Sequence, residues 1–203
     1  MDKAAEFRGC RNLCYAHVLK DTLEEFLTDE VKKLAPLAEI AKTTETATET
    51  SDYDNIPMIT INAEGADTVT AVVPALDIKT YSDILGKDVD EETGALMDGE
   101  AEPRYIALGY ILDMTDNTSR YVWRYKCSVT VPDEASVTKK ASIDVKNQTL
   151  KITGISTTYK FTKPGKQQKA LVVDERDGKA DLSTFFKQVT TIDTLKPKTT
   201  PVE

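Results

Sequence analysis

The stretch "YVWRYKCSVTVP", Tyr121–Pro132, holds the only tryptophan of the chain and decides how the rest is read. Taken alternately, Tyr121, Trp123, Tyr125, Cys127, Val129 and Val131 fall on one side. Val122, Arg124, Lys126, Ser128 and Thr130 fall on the other. A period of two is that of a β-strand with one apolar and one polar face. The apolar face requires a core. The polar face, with Arg124 and Lys126, has three possible outlooks: water, a ligand, or another subunit.

Further β-type segments surround this one. "CRNLCYAHVL" (10–19) reads as a first strand, on which Cys10 and Cys14 share a face. "IPMITINA" (56–63) and "DTVTAVVPAL" (67–76) flank "EGAD", a hairpin-like turn signal. "RYIALGYILDM" (104–114) and the opening stretch flank "TDNTS", another turn signal. Two strands joined by "KNQ" are expected in 141–161, with Ile143 and Val145 in the first, and "KALVVDE" (169–175) reads as a short strand. One helix is marked, from about 75 to 85. It follows Pro74, carries Ile78, Tyr81 and Leu85 as a stripe, and stops at Gly86, where a left-handed cap belongs. Residues 21–37 are ambiguous. Leu23, Phe26, Leu27, Val31 and Leu34 have helical spacing, yet a loop and strand also fit. "AKTTETATETSDYDN" (41–55) has fair β-propensity and no apolar face. It reads either as an exposed mobile loop or hairpin, or as a projecting β-arm that orders on a partner.

A chain of 203 residues buries enough surface for one sizeable domain without disulfides or metals. No apolar run is long enough to cross a bilayer, so no membrane insertion is expected. The start, "MDKAAEFRGC", lacks the apolar stretch of a signal peptide. The three cysteines include no CxxC and read as reduced structural thiols. His17, the one histidine, has no acid near it in sequence, so a nucleophilic triad is not expected. "DVDEETGALMD" (88–98) fails as a calcium loop because Thr93 stands where glycine is required. Asp52, Asp54 and Asn55 offer cation ligands but suit a turn equally. No cofactor, metal or enzyme chemistry is expected. The net charge of −8 is uneven. Residues 83–102 sum to −7 and residues 139–203 to +6, an arrangement unlike a nucleic-acid-binding patch.

"RNLCYAHVL", "TATETSDYDN", "LDIKTYSDILGK", "YIALGY", "YVWRYKCSVTVP" and "DLSTFFKQVTTID" occur in an order that resembles the major tail proteins of long-tailed phages and prophages of Gram-positive bacteria. The resemblance spans roughly residues 8–195. It implies a mainly β fold, a β-sandwich or rolled β-barrel of tail-tube type. The helix would flank it, and a long hairpin or arm would project at about 38–63. It implies a flexible N-terminal arm (1–8), one β-domain (9–195) and a flexible C-terminal tail (196–203), with 21–37 as a strand and its approach loop. It also implies a virion protein, made in the host cytoplasm, whose hexameric rings stack into a hollow tube. Double-stranded DNA passes non-specifically through the lumen. The further partners would be tape-measure, tail-tip and tail-terminator proteins.

On this reading the polar face of the opening strand meets a neighbouring subunit. Arg124 and Lys126 are placed at a subunit seam, since a lumen that conducts DNA should not grip phosphate. Asp88, Asp90, Glu91 and Glu92 are interface candidates through head-to-tail charge complementarity. Thr43, Thr44, Glu45, Thr46, Thr48 and Glu49 are candidates for a lumen wall or an inter-ring arm. The alternative is a monomeric β-sandwich binding or adhesion module. It would need an exposed aromatic platform, whereas Tyr121, Trp123 and Tyr125 read as core.

Overall fold

A computed structural model describes residues 4–138 and 146–198. The elements run β1 (Phe7–Asp21), β2 (Phe26–Thr28), β3 (Lys32–Ala35), β4 (Glu39–Tyr53), β5 (Ile56–Val73), α1 (Ile78–Leu85), β6 (Asp88–Val89), β7 (Leu96–Met97), β8 (Ile106–Met114), β9 (Ser119–Thr130), β10 (Gln148–Ile155) and β11 (Ala170–Asp174). The main antiparallel sheet has the order β2-β1-β8-β9-β10-β5-β4, with β3 paired to β1 and β11 to β9. β6 and β7 form a separate ribbon. The fold is mainly β and sandwich-like, with one flanking helix, as expected.

Two apolar clusters hold it. The inner one joins Leu13 and Tyr15 of β1, Leu34 of β3, Val69 and Ala71 of β5, Ile84 and Leu85 of α1, Leu108 of β8, Val122 of β9, and Leu150 and Ile152 of β10. The outer one lies on the other side of β1, β8 and β9. There Cys14, Ala16, Ala107, Trp123 and Tyr125 are covered by Phe26, Phe161, Phe185, Phe186, Val189 and Leu195. Both faces of the central strands are therefore buried, and the residues that close the outer face come mainly from the irregular C-terminal segment.

Trp123 is fully buried, and its Nε1–H donates to the carbonyl of Phe185 at 2.9 Å. Gly109 makes room for the indole. A Cβ there would stand 2.9 Å from two ring carbons and 2.8 Å from Cys14 Sγ. The helix begins at Asp77, whose side chain accepts from Thr80 N–H, and ends at Gly86 with φ 68°. The C-terminal cap is where the sequence places it, while the helix starts at Ile78, later than the expected start at about 75.

The strict alternation of Tyr121–Val131 fails at one point. Leu108 pairs with Arg124 but Ile106 with Cys127, so β9 carries one extra residue between them. That bulge flips the strand. Val122 and Cys127 face the inner cluster, while Trp123 and Tyr125 face the outer one. Arg124 and Lys126 consequently lie on opposite faces rather than on one, and Val131, beyond the last pair, is exposed. A bulge also corrects the reading of β1. Asn12 (φ 59°) is the extra residue between Arg11 and Cys14, so Cys10, near Ile40, and Cys14, in the outer cluster, do not share a face.

Other expectations are revised. "EGAD" is not a turn, since β5 runs through it. Of the two readings of residues 21–37, the loop-and-strand one holds, since they form β2 and β3 rather than a helix. Leu34 enters the inner cluster, Phe26 and Val31 pack on the outer one, and Leu23 is exposed, so no single stripe is buried. β1 starts at Phe7 within the stretch expected to be a flexible arm. Pro197 bridges Ala180 within the expected flexible tail. Ile143 and Val145 lie outside the described residues, as do 199–203.

Candidate functional site

The feature that leaves the body of the fold is the β4–β5 hairpin. β10 accompanies β5 only as far as Asp67, which pairs with neighbouring Gly154. Beyond that point β4 and β5 continue as a two-stranded ribbon to a tight turn at Asp54–Asn55. Both turn residues have positive φ, 53° and 62°. This is a type I′ geometry, which suits the twist of a two-residue hairpin and favours Asp and Asn. These side chains thus belong to the turn rather than to a cation site. Among the described residues no cluster of His, Cys, Asp and Glu could hold a metal.

The ribbon has two different faces. Opposed pairs share a face, so the register places Ala47/Ala63, Glu49/Ile61, Ser51/Ile59 and Tyr53/Ile56 together. The other face carries Thr46/Glu64, Thr48/Asn62 and Thr50/Thr60. Ile56 is 62% exposed, Ile61 60% and Ile59 48%. Met58, at a second bulge near the tip, is also exposed. The threonine-rich strand alone has no apolar face, but its partner strand supplies one. β4 is the last strand of the sheet, so its outer edge has no partner strand among the described residues.

At the root of the arm sits a buried ion cluster. Arg124, 5% exposed, reaches Asp67 with one guanidinium nitrogen and Tyr110 Oη with Nε at 3.2 Å. Asp67 also accepts from Thr44 Oγ1 at 2.7 Å and from Lys169 Nζ at 3.5 Å, with Lys42 nearby at 3.9 Å. Burial alone would raise the Asp67 carboxyl pKa. The Thr44 hydroxyl and the surrounding cations outweigh it and hold the pKa below its ordinary value. Lys126 is engaged elsewhere, donating to Asp21 at 2.6 Å, where Asp21 also accepts the Thr158 and Tyr159 backbone N–H groups. The two cations placed at a seam by sequence are therefore both committed within their own chain.

The remaining candidates lie as follows. Asp88, Glu91 and Glu92 are exposed on and beside the β6–β7 ribbon, and Asp90 folds back onto the N–H groups of Glu92 and Thr93 to make its turn. Thr43 faces outward opposite Thr68, Thr44 belongs to the ion cluster, and Glu45 lies over Gly65. Thr46 and Thr48 are on the polar face, and Glu49 is on the apolar one. The sequence reading missed Tyr53, Ile56, Ile59 and Ile61. The signal was there in "YDNIPMITI", whose Asp-Asn turn puts the isoleucines opposite the threonine strand.

His17 does have an acid partner, supplied by α1. Asp83 meets His17 Nε2 at 2.9 Å, the Tyr15 hydroxyl at 2.6 Å and Lys32 Nζ at 3.0 Å. No nucleophile joins the group, which instead ties α1 to β1 and β3. Burial pushes the Asp83 carboxyl up, but Tyr15, Lys32 and His17 outweigh it and hold its pKa at about 2, below 3.8. A depressed pKa gives stability that is complete above about pH 4 and is lost as pH falls towards 2. Asp83→Asn is expected to cost on the order of 2 kcal/mol at neutral pH. The deficit should close between pH 4 and 2, as read from urea midpoints across that range. A deficit that stays constant down to pH 2 would contradict this origin. Burial raises the thiols of Cys14 and Cys127 to about 12, so neither is a nucleophile at neutral pH.

No family model matches the chain, and no curated protein matches it. No helix among the described residues is long and apolar enough to cross a membrane.

Proposed function

We propose that the chain is a self-assembling structural subunit of tail-tube type, whose copies close into rings and stack into a hollow tube that conducts DNA. The observation that carries this reading is the arm, with its exposed isoleucine face and its unpaired β4 edge. A two-stranded ribbon is marginal in water by itself, and a contiguous apolar face of this kind marks a surface that another protein covers. An unpaired edge invites strand addition. When the covering protein is a further copy bound head to tail, the contact repeats and makes an open filament. The hexameric ring, the virion location and the tape-measure, tail-tip and terminator partners rest on the sequence resemblance.

The test is sedimentation and negative-stain microscopy of the purified chain at rising concentration, with and without a tail-tip seed. Rings or tubes are the expected result. A strict monomer at millimolar concentration, unchanged by the seed, overturns the reading in favour of a monomeric binding module. Trp123 and Tyr125, two of the three residues that such a module would display as an aromatic platform, are buried, which supports the assembly reading.

A further inference from the structure

The arm is anchored at both ends, and the two anchors disagree. Root pairing, Thr44 with Asp67, and tip pairing, Tyr53 with Ile56, are two residues out of step. Two one-residue bulges on β5 take up the difference, one at Gly65–Ala66 and one at Met58. Each bulge exchanges the faces of everything beyond it. The root bulge therefore decides where the isoleucines point. If β5 ran on from Asp67 without it, Thr48 would oppose Ala63 and Ile61 would turn to the face that now carries Thr50 and Asn62.

Local chemistry is divided over that alternative, because the Asp54–Asn55 turn suits the two-residue hairpin of the bulged register. A bulge-free ribbon would restore an unbroken ladder and close with Tyr53 opposite Met58. The loop would then run from Asp54 to Pro57. Pro57 now sits in the strand opposite Asp52, where it has no N–H to give. The slipped hairpin would move it into a loop. With local preferences divided, a contact outside the ribbon can decide the register.

Lys169, just ahead of β11, makes contacts that only the bulge permits. Its ammonium donates to Gly65 O at 3.0 Å, Glu64 Oε2 at 3.4 Å and Asp67 Oδ1 at 3.5 Å. Glu64 and Asp67 are three positions apart. In an unbroken strand they would lie on opposite faces. One extra residue brings both to the same face and turns the Gly65 carbonyl to the cation between them. Arg124 and Thr44 hold Asp67 still while this happens.

We infer that Lys169, seated on the buried Asp67–Arg124 pair, sets the strand register of the arm and so decides whether Ile59 and Ile61 are displayed on the face that carries Tyr53. Lys169 is a positioning residue. Its effect on assembly rests on the tail-tube reading, but its effect on register does not.

The experiment reads register in the monomer, in a Cys10→Ser background because Cys14 and Cys127 are buried. Thr48→Cys with Asn62→Cys reports the bulged register under mild oxidation, and Thr48→Cys with Ala63→Cys reports the bulge-free one. With Lys169 intact, the 48–62 bond should form and the 48–63 bond should not. Lys169→Met should shift the ratio of the two towards 48–63 by about tenfold, the scale set by losing a hydrogen bond to a charged group. Lys169→Arg should restore 48–62. Lys169 lies at the edge of the cluster, and Asp67 keeps Arg124 and Thr44 without it, so the variant should remain folded. Glu64→Gln, fully outside the core, gives a milder shift and guards against misfolding. An unchanged 48–62 preference in both Lys169→Met and Glu64→Gln overturns the inference. Tube formation is scored separately, so failure of the assembly reading leaves this result intact.

Discussion

Trp123→Ala is expected to cost about 4 kcal/mol, the usual scale for emptying a buried aromatic site. For a domain of this size that lowers the melting temperature by roughly 10–15 °C. Three losses combine. The indole leaves a void against Cys14, Gly109 and Phe186, the Phe185 carbonyl loses its donor, and the C-terminal segment loses the anchor that seats it on β9. Trp123→Phe keeps most of the ring and removes only the N–H, so its cost should be clearly smaller. Calorimetric scans of the three proteins measure this. An alanine variant that melts within about 2 °C of the parent would mean that the indole is a displayed platform after all, contrary to its full burial.

On the proposed tail-tube reading, Ile59→Thr with Ile61→Thr should act in the opposite way, leaving the fold alone and weakening assembly. Threonine keeps the β-preference of isoleucine and removes apolar surface. Both positions are largely exposed in the single chain, so the melting temperature should stay within about 2 °C. If the arm is covered in the tube, each isoleucine contributes roughly 1–2 kcal/mol there. Losing two then raises the critical concentration for polymerisation by about a hundredfold. Thr48→Ser with Thr60→Ser, on the other face, is the matched control and should change it little. The readout is the concentration of protein left in the supernatant after pelleting. Equal values for the isoleucine and threonine pairs would show that the apolar face is not the contact.

The elements legible in the sequence were those whose signals are local. The C-terminal cap of α1, the β8–β9 hairpin and β11 each depend on a few adjacent residues, and each lies where its pattern predicts. What escaped was set by distant partners. The bulges in β1 and β9 break a period of two that looked unbroken, because pairing with β8 inserts a residue that neither strand announces. Arg124 read as a surface cation because Asp67, its counter-ion, is 57 residues away. Lys126 read likewise because Asp21 is 105 residues away. The amphipathic arm was half visible. Its threonine strand was singled out, but a face belongs to two strands together, and the wrong turn, "EGAD" rather than Asp54–Asn55, separated them.

The cover over the outer face also fixes an order of events during synthesis. β1 must wait for β8, and Arg11 meets Asp113 only 102 residues later. Even then Trp123 stands uncovered until Phe185, a further 62 residues on, has been made. Contacts this remote slow a chain's search for its native topology. A nascent chain on the ribosome therefore carries an open aromatic sheet from the synthesis of Trp123 until that of Phe185. It is open to chaperones and to other nascent copies alike, until its final segment closes over the strand on which the reading of this protein began.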